Sequence, residues 1–313
     1  MKAYLGFDTS CYTTSAAAAL EDGGILDFRT PIPVAQGAVG IRQQEAVFLH
    51  VKALSQLVSQ LMEALHQLGG AAIAGVGYSY APTTQEGSYM PVFLPGTSMG
   101  RSLAAALDCP SFGFSHQQGH VRAAEYGSDL PDEYLALHVS GGTTEILRIK
   151  KPGYLVDVLG GTSDISAGQT IDRVGVALGL PFPAGPHLEA LAQSVSNSSY
   201  EFRSRDMGTR FSFSGMETAA QRHIRQGADP GELSLGLFRS IGKVLCRSIR
   251  HCVEDTGLNT VLFSGGVCSN TILRKVIREE LASCTILFGQ PKLCSDNGVG
   301  IALLCKEAVC SKT

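Results

Sequence analysis

The sequence predicts an α/β protein of two lobes with a cleft between them, and two observations carry that prediction. The opening pattern of strand, small-residue turn and strand, LGFDTSCYTTSAAAAL, returns as Glu133–Val139, SGGTT and Glu145–Ile149. Small-residue turns also follow three predicted strands: DTSCYTTS (8–15), SGGTT (140–144) and SGGVCSN (264–270). Glycine lets an anion approach the backbone, and turn and helix N–H groups supply its hydrogen-bond donors.

The elements follow in order. Ala3–Asp8 and Ser15–Leu20 read as a strand pair ending in the EDGG turn. From Glu45 to Leu68 the apolar residues Val47, Val51, Leu54, Leu57, Val58, Leu61, Leu65 and Leu68 keep helical spacing. Ile73–Tyr78 reads as a buried strand, YAPTTQEGSYMP as a loop, Gly96–Leu107 as a helix and Phe112–Phe114 as a short strand. A helix carrying His116 and His120 comes next, and after the repeated strand pair a helix-rich region spans about 165–255. The polar stretch SVSNSSYEFRSRDMG and the FSFSG turn interrupt it. Thr260–Ser264, a helix over Thr271–Leu281 and a strand over Thr285–Phe288 lead to a closing helix, Asp296–Glu307, with Asp296 or Asn297 as its cap. The expected domains are 1–109, completed by the C-terminal helix 297–313, and 110–296.

Composition narrows the function. The 313 residues are 44% hydrophobic and 17% charged, which suits a globular protein with a sizeable core. The net charge of −3 argues against a free-standing nucleic-acid binder. Residues 201–250 depart from this: nine Lys and Arg face five acids, a net +4 where the rest of the chain is −7. That excess reads as a solvated helix face or a nucleic-acid contact. Nine cysteines without a C-x-x-C do not make a disulfide framework. No apolar run approaches the roughly 20 residues of a spanning helix, and AYLGFD lacks the features of a signal peptide. The expected home is a reducing cytoplasm, away from membranes.

Three turns after strands in a duplicated α/β pattern match the actin-like ATPase layout (the ASKHA fold of actin, sugar kinases and Hsp70), with two phosphate hairpins and an adenosine turn around a central nucleotide cleft. A sugar kinase of this fold needs a carboxylate base, for which Asp164 and Asp172 are available; Asp172 also suits two ribose hydroxyls. His116 and His120 lie four residues apart, hence on one helix face, and a metal site there needs further ligands.

The pieces LGFDTSC, SHQQGH, VSGGTTEI, SAGQTIDRVGVALGLPFPAGP, FSFSGMETA, SGGVCSN and CSDNGVGIA occur in this order over nearly the whole chain. Together they resemble the TsaD/glycoprotease family, the threonylcarbamoyl transferases of tRNA modification. The resemblance implies a divalent transition metal, Fe or Zn, on His116, His120 and Asp296. His138, where many relatives carry a tyrosine, is the proposed fourth ligand, since imidazole binds such metals better than a neutral phenol. It also implies an adenine nucleotide or threonylcarbamoyl-adenylate on Val139, Ser140, Gly141 and Gly142, with Asp172 and Gly185 near the ribose and Asn270 near the base or sugar. Small actin-like and ATPase partner proteins are expected, in a heterodimer or homodimer, with tRNA reached through the partners.

The departures are specific. Two acids that follow the cysteine in relatives are Tyr12 and Thr13 here, a glutamate is Gln169, and a histidine after V-S-G-G is Thr143. A carboxylate accepts a proton near neutrality, whereas Thr and Gln do not. Asp8, Thr13 and Gln169 are therefore the catalytic candidates, with Asp8 or Glu86 as substitute acids. The expected function is threonylcarbamoyl transfer to a tRNA adenosine; the alternative is a nucleotide-binding regulatory or scaffold paralogue. Peptidase chemistry is disfavoured, because SHQQGH has Gln117 where H-E-x-x-H enzymes have their glutamate.

Overall fold

The computed structural model describes residues 1–10, 12–33, 41–205 and 207–311, so Cys11 of the DTSCYTTS turn, Asp206 of the polar stretch and the last two residues of the expected C-terminal helix lie outside the described residues. The chain forms two compact units, Met1–Tyr126 with Ser295–Thr313, and Gly127–Cys294.

The first unit is built on a five-stranded sheet in the order β3-β2-β1-β4-β5. Its strands are β1 (Lys2–Ser10), β2 (Thr13–Leu20), β3 (Ile25–Pro31), β4 (Ala72–Ala81) and β5 (Ser111–Ser115). The first three form an antiparallel meander, and β4 and β5 add in parallel to β1. Alternation along β1 sends Ala3, Leu5 and Phe7 into a core with Ala16 and Ala18 of β2. The helix α1 (Gln43–Gln67) closes that core with Leu54, Leu57, Leu61 and Leu65, spaced three or four apart. Gly6, on the alternate positions of β1, faces the C-terminal helix. A Cβ there would fall on the backbone nitrogen of Ala302.

Two further helices frame the site of this unit. The short helix α3 (His116–Glu125) starts with a complete capping box. Ser115 Oγ accepts the Gln118 N–H at 3.1 Å, and the Gln118 side chain accepts the Ser115 N–H at 2.7 Å. Between β4 and β5 lies α2 (Leu94–Ala106).

The second unit repeats the plan in a six-stranded sheet, β11-β10-β6-β7-β8-β9. Its strands are β6 (Glu133–Val139), β7 (Thr144–Lys150), β8 (Leu155–Thr162), β9 (Arg210–Phe211), β10 (Thr260–Ser264) and β11 (Thr285–Phe288). From β8 through β7, β6 and β10 to β11 the pairings run antiparallel, antiparallel, parallel, parallel, the sequence seen from β3 to β5 in the first unit. The duplication read from the sequence is thus a duplication of topology. The helices are α4 (Ala167–Ala177), α5 (Gly185–Gln193), α6 (Ser214–Arg225), α7 (Pro230–Thr256) and α8 (Thr271–Glu280).

The third strand of each meander escapes sequence reading for a physical reason. Burial in β3 is partial and does not alternate, and the first half of β8 is largely exposed, so neither carries a period-two signal. The last helix, α9 (Val299–Cys310), also starts later than the expected Asp296. Asn297 Oδ1 accepts the N–H groups of Val299 at 3.0 Å and Gly300 at 3.4 Å. Asn297 therefore serves the first turn, and the Asp296 carboxylate is left for other partners.

In the first unit α3 and α9 meet backbone to backbone: a Cβ on Gly300 would land on the Gly119 carbonyl oxygen. Gly300→Ala is expected to lose about 2 kcal/mol or more through overpacking. Gly215→Ala on α6, where a Cβ meets nothing within 4 Å, is expected to be neutral or slightly stabilising. Urea unfolding midpoints measure both.

Candidate metal centre and nucleotide turns

The metal candidates of the first unit converge. Capped by Ser115, α3 begins at His116 and presents His120 one turn later, with ring centroids 4.3 Å apart. Their Nε2 atoms approach to 2.9 Å. Asp296 Oδ1 lies 3.2 Å from His120 Nε2 and 3.6 Å from His116 Nε2. One ligand atom from each of the three residues falls within 4.8 Å of the others, the one such His/Cys/Asp/Glu cluster among the described residues. Two imidazoles and a carboxylate are a donor set suited to Zn or Fe.

Two residues fix this geometry. Asp8, fully buried near the end of β1, sets its Oδ1 2.9 Å from His116 Nδ1. That contact assigns a proton to Nδ1 and turns Nε2 toward His120 and Asp296. Burial works against a charged His116, but the Asp8 carboxylate, its hydrogen bond and Asp296 raise its pKa to about 9. Burial likewise works against a charged Asp296, yet the His120 hydrogen bond and both imidazoles hold it well below the usual carboxylate range. Arg29 of β3 secures the segment before α9. It donates to Ser295 Oγ at 2.8 Å and to the Asp296 carbonyl at 3.2 Å, and it pairs with Asp27 at 2.9 Å.

The remaining candidates of this unit sit differently. Thr13 is half-buried in the ladder opposite Ser10 and Pro31. Tyr12 is 48% exposed and its carbonyl accepts the Ile32 N–H. Glu86 is exposed in the loop after β4. Sequence reasoning placed Asp8 among the acids but missed its bond to His116; the signal was alternation on β1, which puts Asp8 on the Gly6 face. Arg29 gave no signal.

The nucleotide candidates lie in the second unit. Val139 ends β6, fully buried, so only its backbone can serve a ligand. In the turn that follows, Ser140 Oγ accepts the N–H groups of Gly142 at 3.2 Å and Thr143 at 3.0 Å, while Cβ positions on Gly141 and Gly142 meet nothing within 4 Å. The amino end of α4 packs onto this turn. Ser166 Oγ donates to the Gly141 carbonyl at 2.8 Å, and a Cβ on Gly168 would fall on the Ser140 carbonyl oxygen. A helix N-terminus against an open glycine turn suits an anion. Gln169 completes the α4 capping box with Ser166.

Asp172 Oδ1 accepts the Ala184 N–H at 2.8 Å, tying α4 to the start of α5 at Gly185; burial nevertheless pushes its pKa up. Asn270, 8% exposed, caps α8 by accepting the Leu273 N–H at 2.9 Å. His138, at the end of β6, sets Nδ1 3.1 Å from Ser264 Oγ of β10.

Asp164 has a structural task. Burial is the largest single influence and opposes its charge, but the hydrogen bonds from Ser212 Oγ and the N–H groups of Ser214, Phe213 and Ile165 together outweigh it and hold its pKa well below the usual carboxylate value of 3.8. It thereby anchors the FSFSG turn and the first turn of α6. With the folded pKa depressed, the folded state binds fewer protons than the unfolded chain. This stability is present above pH 3.8 and lost as pH falls below it. Asp164→Asn is expected to lower stability at pH 7 and to flatten its acid dependence, as read from urea unfolding between pH 7 and pH 3.

Comparisons with known proteins agree with the fold and the motifs. The activator of the 2-hydroxyisocaproyl-CoA dehydratase from Clostridium difficile, solved with ADPNP, matches 99% of this chain and 96% of its own, with a TM-score of 0.57 at 15% identity. A ROK family glucokinase from Streptomyces griseus, solved with glucose and AMPPNP, matches 97% of this chain and 99% of its own, with a TM-score of 0.55 at 15% identity. These likenesses establish the actin-like ATPase fold. In sequence, the tRNA N6-adenosine threonylcarbamoyltransferase of Syntrophotalea carbinolica is 30% identical over 95% of this chain and 90% of its own. The family profile described as TsaD, tRNA N6-adenosine threonylcarbamoyltransferase, matches residues 31–303, and the chain belongs to that family.

Proposed function

We propose that the protein transfers a threonylcarbamoyl group from threonylcarbamoyl-adenylate to the amine of a tRNA adenosine, on a metal held by His116, His120 and Asp296. The observation that carries this reading is the convergence of those three side chains with Asp8 behind His116. A divalent Zn or Fe bound there would act as a Lewis acid toward the acyl donor. The chain's own residues bind and orient. Asp8 keeps the His116 tautomer, and Arg29 keeps the Asp296 segment in place. In the second unit the open turn at Gly141 and Gly142, backed by the amino end of α4, receives phosphate, while Asp172, Gly185 and Asn270 serve the nucleoside. His138 remains the proposed fourth ligand on chemical grounds. Partner proteins of the actin-like and ATPase kinds fit the family, and Phe48 and Val51, 67% and 58% exposed on α1, offer apolar surface for one.

A second reading, a nucleotide-binding regulatory paralogue, is favoured by one observation. Asp8, the acid nearest Tyr12 and Thr13, where the family resemblance implies two acids, is buried and committed to His116. Mass spectrometry of digested tRNA, after incubation with threonylcarbamoyl-adenylate and partner proteins, separates the two. Threonylcarbamoyladenosine above the level given by His116→Ala/His120→Ala supports transfer. Its absence, with an authentic family enzyme active in parallel, supports regulation. Asp8→Asn is expected to weaken zinc binding about 10- to 100-fold in calorimetric titration, because the orienting carboxylate is lost.

A further inference from the structure

The basic excess of residues 201–250 is gathered into one place. On α7, Arg239, Lys243, Arg247 and Arg250 recur at steps of four, four and three residues, one helix face about 16 Å long. Two grooves flank this face. One, of about 640 Å³, runs between α7 and α8 and includes Arg239, Lys243 and Lys275. The other, of about 490 Å³, runs along residues 201–204 and includes Arg203, Lys243, Arg247 and Arg250. They share Lys243 and Glu280, so the cations line one continuous trough.

The acids of the trough do not cancel it. With Glu280 engaged by Arg250, Glu201 3.9 Å from Lys243 and Glu279 beside them, three carboxylates line the trough against six cations. Arg203 and Lys275 are exposed and form no ion pair with a described residue. Arg239 reaches the neutral Asn197 amide oxygen at 3.3 Å. A chain with a net charge of −3 has therefore set a row of positive charge on one face. The helical rise spaces successive members by about 4.5–6 Å, a ladder that suits a chain of phosphates better than a single anion. The trough contains Phe202 but that ring is buried, so it offers no exposed aromatic platform for unstacked bases.

We infer that this trough on α7 binds the sugar–phosphate backbone of an RNA, giving the protein a direct grip on its acceptor. The inference rests on the proposed tRNA reading for the identity of the RNA. It predicts binding that is sequence-tolerant and steeply salt-dependent, since phosphate contacts position a nucleic acid without reading its bases.

The test measures fluorescence anisotropy of an unmodified tRNA transcript with the full chain over a salt series. The variant Arg203→Ala/Lys243→Ala/Lys275→Ala is expected to bind about tenfold or more weakly, with a log–log salt slope shallower by about 2. A control with equal charge loss, Lys2→Ala/Lys52→Ala/Arg101→Ala, is expected to bind like the parent. Thermal melts and zinc titrations confirm that both variants are folded. Equal weakening in both variants, or in neither, overturns the trough as the contact. Poly-glutamate of matched charge binding as tightly as the transcript overturns the choice of RNA. The product assay is separate: loss of RNA binding in the trough variant supports the inference even where the parent makes no threonylcarbamoyladenosine.

Discussion

The arrangement around the histidine pair depends on two helices meeting at glycines. In the first unit α3 touches α9 at Gly119 and Gly300, and α9 in turn lies on β1 where Gly6 leaves room. Interiors are close-packed, so a contact this intimate fixes both translation and rotation of the helices. It follows that His116 and His120, on the first turns of α3, face Asp296, three residues before α9. The same packing sets Asp8, on the Gly6 face of β1, behind His116. Three segments far apart in sequence thus supply one cluster, and glycine is what lets them approach.

Electrostatics then give the cluster its chemical character. An isolated buried carboxylate is costly, and Asp8 is fully buried; its charge is sustained by the imidazole beside it. With Nδ1 held by Asp8, Nε2 is the His116 atom available to a metal, once a metal displaces its proton. In the second unit the logic differs: backbone amides, an open glycine turn and a capped helix end do the work, and the side chains of Asp172, Asn270 and Gln169 all hold backbone N–H groups. Residues drawn from the resemblance as ligand contacts are therefore also the residues that shape the turns.

Much of this was legible in the sequence, in proportion to periodicity. The α1 stripe, the strand pairs and the three small-residue turns declare themselves because alternation, helical spacing and glycine are local signals. The edgeward strands β3 and β8 do not, since their burial is too partial to impose a pattern. At the site, spacing put His116 and His120 on one face, but Asp296 entered only through the family motif, because no local rule brings residue 296 to residue 116. The pairing of Asp8 with His116 and the support from Arg29 are tertiary contacts with no local signature. The charge trough was visible as an excess of Lys and Arg; that α7 aligns four of them required the helix register.

The central claim is that His116, His120 and Asp296 form a metal centre. X-ray absorption at the zinc edge, on protein loaded with one equivalent of zinc, tests it most directly. The account predicts a shell of nitrogen and oxygen at about 2.0–2.1 Å with imidazole outer-shell scattering, lost in His116→Ala/His120→Ala. Sulfur at about 2.3 Å, or a spectrum unchanged by that double substitution, would contradict it.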